Sequence, residues 1–582
     1  MYRYLFITGI LCFLLSCGGK EKKTFEYAGG SIRVALDNEP STFLPRSASD
    51  YYSAIVLNQI TEGLVGIDPS TLKIIPKIAE KWEISDDGKT YTFDLRSDVY
   101  FHPHKLLSGK ESRKLKATDV IASFEAGCQM NEQGSSFPLY SYVFEDNVIG
   151  AREFFEGNAE FIEGIETKGN TITIRLIQED YNFLYKLANV SASILPAKLI
   201  EAKLDTDVIG TGPFIYHEYN TNDVPRLVML RNNDYYLKDK EGNALPYLDS
   251  LVFIFQHMKY EQLDLFESKQ TDLIIGLPTS RITSMLEGRM QDFNSKPPVF
   301  ELANNPLLET HFYFFNMKDP RFKDPRVRQA FNYAFNKESI GREILRNQYY
   351  DLGDSTGITP PIGKVLKGYD FNLVKKSGYS YNPEKAKKLL SDAGYPDGKG
   401  FGSVNLRYDI DDVHSSIADE FAQQIFMVLG INVNIDGSSF NQLIEDEELG
   451  QGDIFRLAWS ADYPSPESFL MNFYGKLVPE NIEDRSSINK SRYRNEKFDQ
   501  LYEEARHAHK LSMQMELFSK AEAELMKDPP IIPLWYAGDI QIMYSNVRNF
   551  HFNAMNLLDF AQVYKKNWTA KEYQKAYSSQ NP

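Results

Sequence analysis

Three features are scarce in this chain of 582 residues, and each absence narrows what the protein can do. Cysteine occurs only at Cys12, Cys17 and Cys128. Basic side chains are outnumbered, since 64 Lys and Arg stand against 80 Asp and Glu, a formal net charge of −16. Nucleic acid is therefore not an expected partner, because phosphate backbones are bound by basic surfaces. After Cys17 no apolar run approaches the roughly 20 residues of a membrane-spanning helix.

Several motifs that carry enzyme chemistry are missing as well. There is no H-E-x-x-H zinc motif, no phosphate-binding G-x-x-x-x-G-K-S/T loop and no C-x-x-C pair. His102 and His104 offer two imidazoles without a nearby third ligand, so a surface loop is favoured over a metal site. A hydrolase needs a nucleophile or metal together with a positioned base. We therefore expect a protein that is not an enzyme, with no catalytic residues, no metal and no cofactor.

The N-terminus has the pattern of an export signal, predicted over residues 1–16. Arg3 precedes a short apolar run, and a cleavage site follows it. Residues 14–18, Leu-Leu-Ser-Cys-Gly, resemble the lipobox of bacterial lipoproteins, which implies that Cys17 is lipidated and becomes the mature N-terminus. Residues 17–30 would then form a tether to a membrane surface. We expect a membrane lipoprotein of the cell envelope, held on the extracytoplasmic side in the periplasmic space or at the cell surface.

The rest of the chain alternates strand-like and helix-like patterns, which indicates a mixed α/β protein. The strands are predicted from polar and apolar residues that alternate, and the helices from an apolar face with a terminating signal. We predict strands over 90–96, 169–176 and 431–435 and helices over 325–344, 383–393 and 417–429. Because Cys17 would be acylated, Cys128 has no disulfide partner and stability must come from core burial.

Between residues 31 and 544 a series of segments occurs in a characteristic order. They are residues 76–96, 116–120, 123–124, 210–214, 231–236, 322–330, 386–395 and 458–464. This series resembles family 5 of the ABC-type extracytoplasmic solute-binding proteins, the group that binds peptides and nickel. The chain departs from the family at residues 101–104, where Phe-His-Pro-His replaces the usual Phe-His-Asp-Gly turn, and an insertion runs to about Leu115.

The resemblance implies an α/β fold with two lobes around a deep cleft, the periplasmic-binding-protein fold of type II. It also implies the extra subdomain of the large peptide-binding group and a hinge of crossing strands. A ligand would bind between the lobes and close them. The implied division gives lobe I residues 31–63, 201–280 and 526–582, the lobe I subdomain residues 64–200 and lobe II residues 281–525.

The resemblance also implies which residues hold a peptide. Asp462 matches the position where peptide-binding members place an Asp against the ligand α-amino group. Trp459 would flank the cleft, and the main chain around Ala458 and Ser460 would pair with an extended peptide. Arg456 is similar to an Arg that meets the ligand carboxylate, which a planar guanidinium suits.

His414 resembles a His that meets the carboxylates of longer ligands in the same members. Structural interpretations stay open for Asp462, Arg456 and His414. Asp462 could be a turn residue ahead of Pro464, Arg456 could belong to an internal ion pair, and a ligand role of His414 is no better supported than a structural one. Trp459 would be buried in either case.

The resulting hypothesis is a lipid-anchored, monomeric receptor that binds short peptides and delivers them to the permease and ATPase subunits of an ABC importer. One alternative keeps the fold and the transport role with another ligand, such as a metal chelate, haem or an oligosaccharide. A second alternative is an envelope peptidase on the same scaffold. A third is a signalling lipoprotein that binds peptide without transport.

Overall fold

The computed structural model describes residues 25–131, 134–204, 206–277, 281–346, 349, 351–352, 357–508 and 510–578. The predicted export signal, Cys17 and the first part of the predicted tether lie outside the described residues. In the described part of the chain, no helix combines the length and the apolar character that crossing a bilayer requires.

The secondary structure is mixed along the whole described chain. The strands are β1 (Ser31–Leu36), β2 (Val65–Ile67), β3 (Ile74–Pro76), β4 (Ala79–Ile84), β5 (Thr90–Leu95), β6 (Ile165–Lys168), β7 (Thr171–Arg175), β8 (Phe214–Asn220), β9 (Arg226–Arg231), β10 (Ser250–Phe255), β11 (Leu273–Ile274), β12 (Phe300–Phe315), β13 (Asp351–Leu352), β14 (Val404–Asp409), β15 (Val433–Ser438), β16 (Ile454–Ser460), β17 (Ile531–Tyr544), β18 (Val547–Arg548) and β19 (Tyr564–Lys565). The α-helices are α1 (Tyr51–Ile60), α2 (Ala117–Gly127), α3 (Ala151–Phe155), α4 (Phe183–Leu187), α5 (Ala197–Glu201), α6 (Lys259–Glu267), α7 (Ile282–Gly288), α8 (Met290–Asn294), α9 (Pro325–Ala334), α10 (Lys337–Glu343), α11 (Phe371–Lys375), α12 (Pro383–Asp392), α13 (Asp412–Leu429), α14 (Phe440–Leu449), α15 (Glu467–Leu470), α16 (Glu496–Arg506), α17 (Leu511–Lys527) and α18 (Ala570–Ser578).

One large mixed sheet runs through the molecule. Its strand order is β15-β14-β16-β12-β17-β11-β1-β10-β9-β8, and β13 pairs with β17 beside this path. Towards β8, β1 lies parallel to β10 and β11, and the β10–β9 and β9–β8 pairs beyond it are antiparallel. Towards β15, β14 lies parallel to β15 and β16. The central pairs β16–β12, β12–β17 and β17–β11 are antiparallel. The sheet therefore has two halves, joined through β12 and β17.

β12 and β17 are long strands that belong to both halves of the sheet. The first part of β12 pairs with the last part of β17, up to Pro306 opposite Gly538. After a shift in register, Thr310 lies opposite Tyr536, and from about this point β12 also pairs with β16. The two strands thus cross from the lobe I half to the lobe II half, and the predicted hinge of crossing strands is confirmed.

Separate hydrophobic cores lie in the different parts of the fold. One core uses side chains between Leu64 and Ile209, including those of the four-stranded sheet β4-β5-β7-β6. A second uses side chains of lobe II, and a third lies under β1, β9 and β10 of lobe I. Tyr142 packs against both the first and the second core. The two-lobed α/β fold with an extra subdomain is confirmed, whereas the domain boundaries given above stay a prediction.

Most local predictions agree with the structure. The strands predicted over 90–96 and 169–176 correspond to β5 and β7, and the helix over 383–393 corresponds to α12. The helix predicted over 417–429 begins earlier, because Asp411 accepts a hydrogen bond from the backbone N–H of His414 and caps α13. Gly430 ends α13 in the left-handed region, with φ of 70°.

The single helix predicted over 325–344 is wrong. The chain forms α9 and α10 instead, because Phe335 between them is extended, with φ of −101° and ψ of 119°. The next backbone N–H, of Asn336, donates to Oε1 of Gln424 on α13 at 2.6 Å. A side chain from a distant helix therefore satisfies the amide that would otherwise continue the helical pattern.

Candidate functional site

β16 carries four of the predicted ligand residues and leads directly into Asp462. On one edge it pairs with β12 along its whole length. On the other edge it pairs with β14 only at Ile454 and Phe455. Within the described part of the chain, no strand pairs with the remaining stretch of that edge. The end of β16 therefore offers an incomplete sheet edge close to Asp462.

The register of β16 decides which backbone groups point to this open edge. The N–H of Ala461 donates to the carbonyl of Leu308 on β12 at 2.8 Å. Because hydrogen-bonded positions alternate along an antiparallel pair, the amide groups of Ala458 and Ser460 point away from β12. Trp459 is half-buried against the lobe II core, and its indole N–H has no hydrogen-bond partner among the described residues.

The side chain of Asp462 is exposed, although the surrounding protein displaces much of the water near its carboxyl group. This loss of water raises the pKa of Asp462 to about 6, and hydrogen-bonding groups on Tyr142 and Ser468 oppose the shift. The backbone N–H of Asp462 donates to Oγ of Ser468 at 2.9 Å, which fixes the turn. Among the described residues, no basic side chain contributes to the pKa of this carboxyl group.

Tyr142 approaches Asp462 from the subdomain. It lies in a π-helical turn, Leu139–Phe144, a rare geometry that is frequent at functional sites. Burial and the nearby charge of Asp462 raise the pKa of Tyr142 well above its ordinary value. The hydroxyl is close enough to Asp462 to influence the carboxyl pKa, but no hydrogen bond of ordinary geometry joins the two.

Arg456 is buried in a chain of ionisable groups. Its Nη1 donates to Oδ1 of Asp409 at 3.0 Å, and its Nη2 lies 2.8 Å from Nδ1 of His311. Nε2 of His311 lies 2.9 Å from Oε1 of Glu309, and Glu309 also accepts a hydrogen bond from the hydroxyl of Ser460. The internal ion pair that the sequence left open for Arg456 is therefore present.

The pKa values in this chain of groups favour a single arrangement of protons. Burial opposes ionisation of Asp409, but His414 and Arg456 outweigh it and hold the pKa of Asp409 far below its usual range. Burial lowers the pKa of His311 to about 4. Glu309 is also enclosed, yet its hydrogen bond with His311 lowers its pKa to about 2. At neutral pH the imidazole of His311 is uncharged, accepts from Arg456 and donates to Glu309.

His414 stands at the N-terminus of α13, next to this chain. Its Nδ1 lies 3.2 Å from Oδ2 of Asp409 and 3.2 Å from Oδ2 of Asp411. Its backbone N–H donates to Oδ1 of Asp411 at 2.6 Å. The sequence cluster around His414 is thus a helix cap that is joined through Asp409 to Arg456.

Sequence reasoning missed four residues of this region, namely Glu309, His311, Asp409 and Tyr142. Glu309 and His311 lie two positions apart in β12, so both side chains point to one face of a strand that is otherwise mostly apolar there. That spacing was the available signal. Asp409 ends a strand with parallel partners, where functional groups often collect.

Lobe I faces this region with the start of α1. Tyr51 is 40 % exposed, but the surrounding protein raises its pKa well above the ordinary value, together with the charges of Asp539 and Glu309. The charge of Glu309 acts on Tyr51, so the start of α1 lies close to the group of ionisable side chains around Glu309. Beside them Asp37 is already paired with Nζ of Lys259 at 2.6 Å.

His102 has a structural position. It is 1 % exposed, its Nε2 lies 3.0 Å from the carbonyl of Gly212, and its Nδ1 accepts from the N–H of Gly210 at 3.4 Å. Nε2 of His104 lies 2.8 Å from Oδ2 of Asp207. In the described ranges, no group of three or more His, Cys, Asp or Glu side chains is arranged to hold a metal ion.

The sequence analysis also did not recognise one motif that occurs in enzymes. Residues 353–357 read Gly-Asp-Ser-Thr-Gly, the G-x-S-x-G spacing of a nucleophile elbow. Residues 353–356 lie outside the described residues. In hydrolases this motif joins a strand to a helix. Here β13 precedes it, but residues 357–362 after it form no helix, so the surrounding structure does not match that motif.

The family model of the bacterial extracellular solute-binding proteins, family 5, matches residues 73–479. This match covers more than half of the chain, and the chain belongs to that family. The resemblance inferred from the ordered segments is thereby confirmed.

Relatives agree with this assignment over nearly the full length. The chain is 26 % identical over 542 residues to the dipeptide-binding protein of Escherichia coli, covering 90 % of this chain and 91 % of that protein. It is 27 % identical over 542 residues to heme-binding protein A of Haemophilus influenzae, covering 90 % and 89 %. A solved structure of the periplasmic binding protein DppA from Helicobacter pylori, in complex with the peptide STSA, has the same fold. Its TM-score is 0.77 at 24 % identity, covering 93 % of this chain and 99 % of that one.

Proposed function

We propose that this protein is a lipid-anchored receptor that binds short peptides between its lobes and delivers them to an ABC permease with its ATPase. The observation that carries the peptide assignment is the pairing of Asp462, a carboxylate without a basic neighbour among the described residues, with the open edge of β16. A peptide has an ammonium group at one end and a backbone that pairs like a strand. These are the two features that this part of the cleft matches.

The remaining ligand residues are proposed on the same basis. Ala458 and Ser460 pair with the peptide main chain, and Trp459 flanks the bound peptide. Arg456 and His414 meet the peptide carboxylate, Arg456 while it keeps its bond to Asp409. A receptor is favoured over a peptidase because these groups bind and orient a ligand, and the hydroxyl of Ser460 donates to Glu309 and not to a histidine base.

The test is native mass spectrometry of the protein without residues 1–17, as purified from cells. We expect extra mass that corresponds to a mixture of peptides of two to five residues. A single defined extra mass, such as a haem, a metal chelate or one sugar, would overturn the peptide assignment while leaving the fold and the transport role in place. Haem is among these possible ligands because one relative is named a heme-binding protein.

The lipid anchor is tested separately with Cys17→Ser in the full chain. We expect the variant to leave the membrane fraction and to bind peptide as well as the parent protein does, because Cys17 precedes the folded body. Continued association of the variant with membranes would contradict lipidation at Cys17. Sedimentation of the released protein would check the expected monomer.

A further inference from the structure

A buried group of four charges joins the subdomain to lobe II beside Asp462. The subdomain supplies Asp180 and Lys186, and lobe II supplies Glu467 and Arg506. Nζ of Lys186 lies 2.7 Å from Oδ2 of Asp180 and 3.1 Å from Oε1 of Glu467. Nε of Arg506 lies 3.2 Å from the same Oε1. The side chains of Asp180, Lys186 and Glu467 are 4 %, 6 % and 2 % exposed, so water screens these charges little.

Uncharged groups extend this contact between the two parts. Nδ2 of Asn182 donates to Oε2 of Glu467 at 2.6 Å and to Oγ of Ser465 at 3.2 Å. The rings of Tyr185 and Tyr463 stack beside them, with centroids 6.4 Å apart. The contact is therefore a continuous polar and aromatic seam, which we call the seam from here on.

The seam can open without leaving a buried charge unpaired, because each side has its own ion pair. Asp180 and Lys186 form a neutral pair within the subdomain, and Glu467 and Arg506 form a neutral pair within lobe II. Separation would break the bonds from Lys186 and Asn182 to lobe II, together with the 3.0 Å contact between Nδ1 of His507 and the carbonyl of Glu179. An unpaired buried charge is strongly unfavourable, but neither half would contain one after separation. The seam is thus suited to repeated opening and closing.

The seam is also connected to the proposed ammonium site. Ser465 and Glu467 lie in the 462–468 turn, by which we mean the segment that bends after Asp462 and leads into the first residues of α15. The hydroxyl of Ser468, the residue after Glu467, accepts the backbone N–H of Asp462 at 2.9 Å. The turn that fixes the position of Asp462 is therefore also the one that Lys186 and Asn182 of the subdomain contact.

We propose that Asp180, Asn182 and Lys186 are positioning residues for ligand binding, which hold the 462–468 turn against the subdomain in the closed state. The proposal rests on the proposed function only in taking the cleft beside Asp462 as the ligand site. Closure around a ligand forms the bonds from Lys186 and Asn182 to Glu467, and ligand release requires that they break. The seam thus slows dissociation and leaves the rate of association almost unchanged.

The test removes the subdomain half of the seam and leaves lobe II intact. In the double variant Asp180→Asn with Lys186→Met, Asp462 and its turn keep every contact within lobe II. We expect the dissociation rate and the Kd of trialanine to rise about tenfold to a hundredfold, with an association rate within about twofold. The matched control is Lys81→Met with Asp94→Asn. This pair of the same residue types is 3.1 Å apart on the same subdomain, with side chains 66 % and 44 % exposed, and its removal should leave both rates unchanged.

Equal rates for the double variant and the parent protein would overturn the proposal. If the parent protein binds neither trialanine nor the other peptides of two to five residues, the proposed function is at fault, and amide hydrogen exchange of residues 180–186 and 463–468 tests the seam instead. Faster exchange in the double variant but not in the control supports it, and equal exchange overturns it. Should the double variant not fold, Asn182→Ala removes the two hydrogen bonds of Asn182 to lobe II and no charge. A dissociation rate raised about threefold or more then supports the proposal, whereas an unchanged rate overturns it.

Discussion

Arg456 and Asp462 lie six positions apart, in β16 and directly after it, yet only the charge of Arg456 has a partner within the described residues. The carboxylate of Asp462 reaches solvent in the cleft, and no basic side chain of the described residues acts on it. The guanidinium of Arg456 is 7 % exposed and is held by Asp409 and His311. One charge is available to a ligand, and the other already belongs to the fold.

This difference shows why a residue type in the right segment does not by itself define a ligand contact. A peptide carboxylate that approaches Arg456 would have to share the guanidinium with Asp409. The Nε of Arg456 is buried and has no hydrogen-bond partner among the described residues. An ammonium that approaches Asp462 meets no such competitor. The N-terminal end of the site is therefore the stronger of the two anchors.

The largest expected effect comes from Asp462→Asn, which keeps the shape of the side chain and removes its charge. Trialanine should bind about 3 kcal/mol more weakly, or about a hundredfold, because its ammonium group would enter the cleft without a counter-charge. Isothermal titration calorimetry measures this change. Asp86→Asn, in an exposed turn of the subdomain, is the matched control, and an equal affinity for both variants would refute the role of Asp462.

A double-mutant cycle on Arg456 and Asp409 would sharpen the other side of the comparison. We expect Arg456→Met and Asp409→Asn each to lower the free energy of unfolding by about 3 kcal/mol, because each removes one member of a buried ion pair and leaves the other with a histidine contact alone. The double variant should lose at least about 1 kcal/mol less than the sum of the two. Urea unfolding measures the cycle. Strictly additive losses would show that the two side chains act independently.

The pH dependence of binding follows from the pKa of Asp462, raised to about 6 from a usual value of 3.8. Peptide affinity should fall below about pH 6, by up to about tenfold per pH unit, because the protonated carboxyl group no longer attracts an ammonium. The free energy of unfolding changes with pH in the opposite direction to the peptide affinity. The contribution of the raised pKa to the free energy of unfolding is fully present below about pH 3.8, falls as the pH rises from there to about 6, and is absent above that. Asp462→Asn should remove both slopes, as calorimetry and unfolding at several pH values would reveal.

The smallest expected effect is that of His414→Gln. Loss of the imidazole contact with Asp409 should lower the free energy of unfolding by about 1 kcal/mol, because the cap by Asp411 uses the backbone and survives. Affinity for trialanine should change less than about twofold, and affinity for pentaalanine should fall more if His414 meets the carboxylate of longer peptides. Equal changes for the two peptides would count against that ligand role.

Much of the fold could be predicted because its signals are local or because the family supplies them. Asn382 and Gly430 mark helix ends that any sequence reading detects. The break at Asn336 could not be predicted, since its partner Gln424 lies 88 positions later. Likewise Arg456 meets Asp409 only because the sheet brings positions 47 apart into contact.

The same limit applies to the candidate site. Asp462 could be chosen from its segment, because the family places an Asp there. The series of hydrogen bonds from Glu309 through His311 to Arg456 depends on the register between β12 and β16, which sets Glu309 opposite Ser460. No local pattern fixes that register, since it results from packing of the whole lobe II core.

The crossing strands have a consequence for how the protein melts. Phe300 at the start of β12 packs in a lobe I core, whereas Phe314 near its end packs in the lobe II core. In the same way, Ile531 of β17 belongs to the lobe II core and Ile542 to the lobe I core. Neither lobe can unravel without withdrawing two strands from the other. We expect calorimetry to record one cooperative transition for both lobes, so that a cavity in either lobe lowers the melting temperature of the whole molecule.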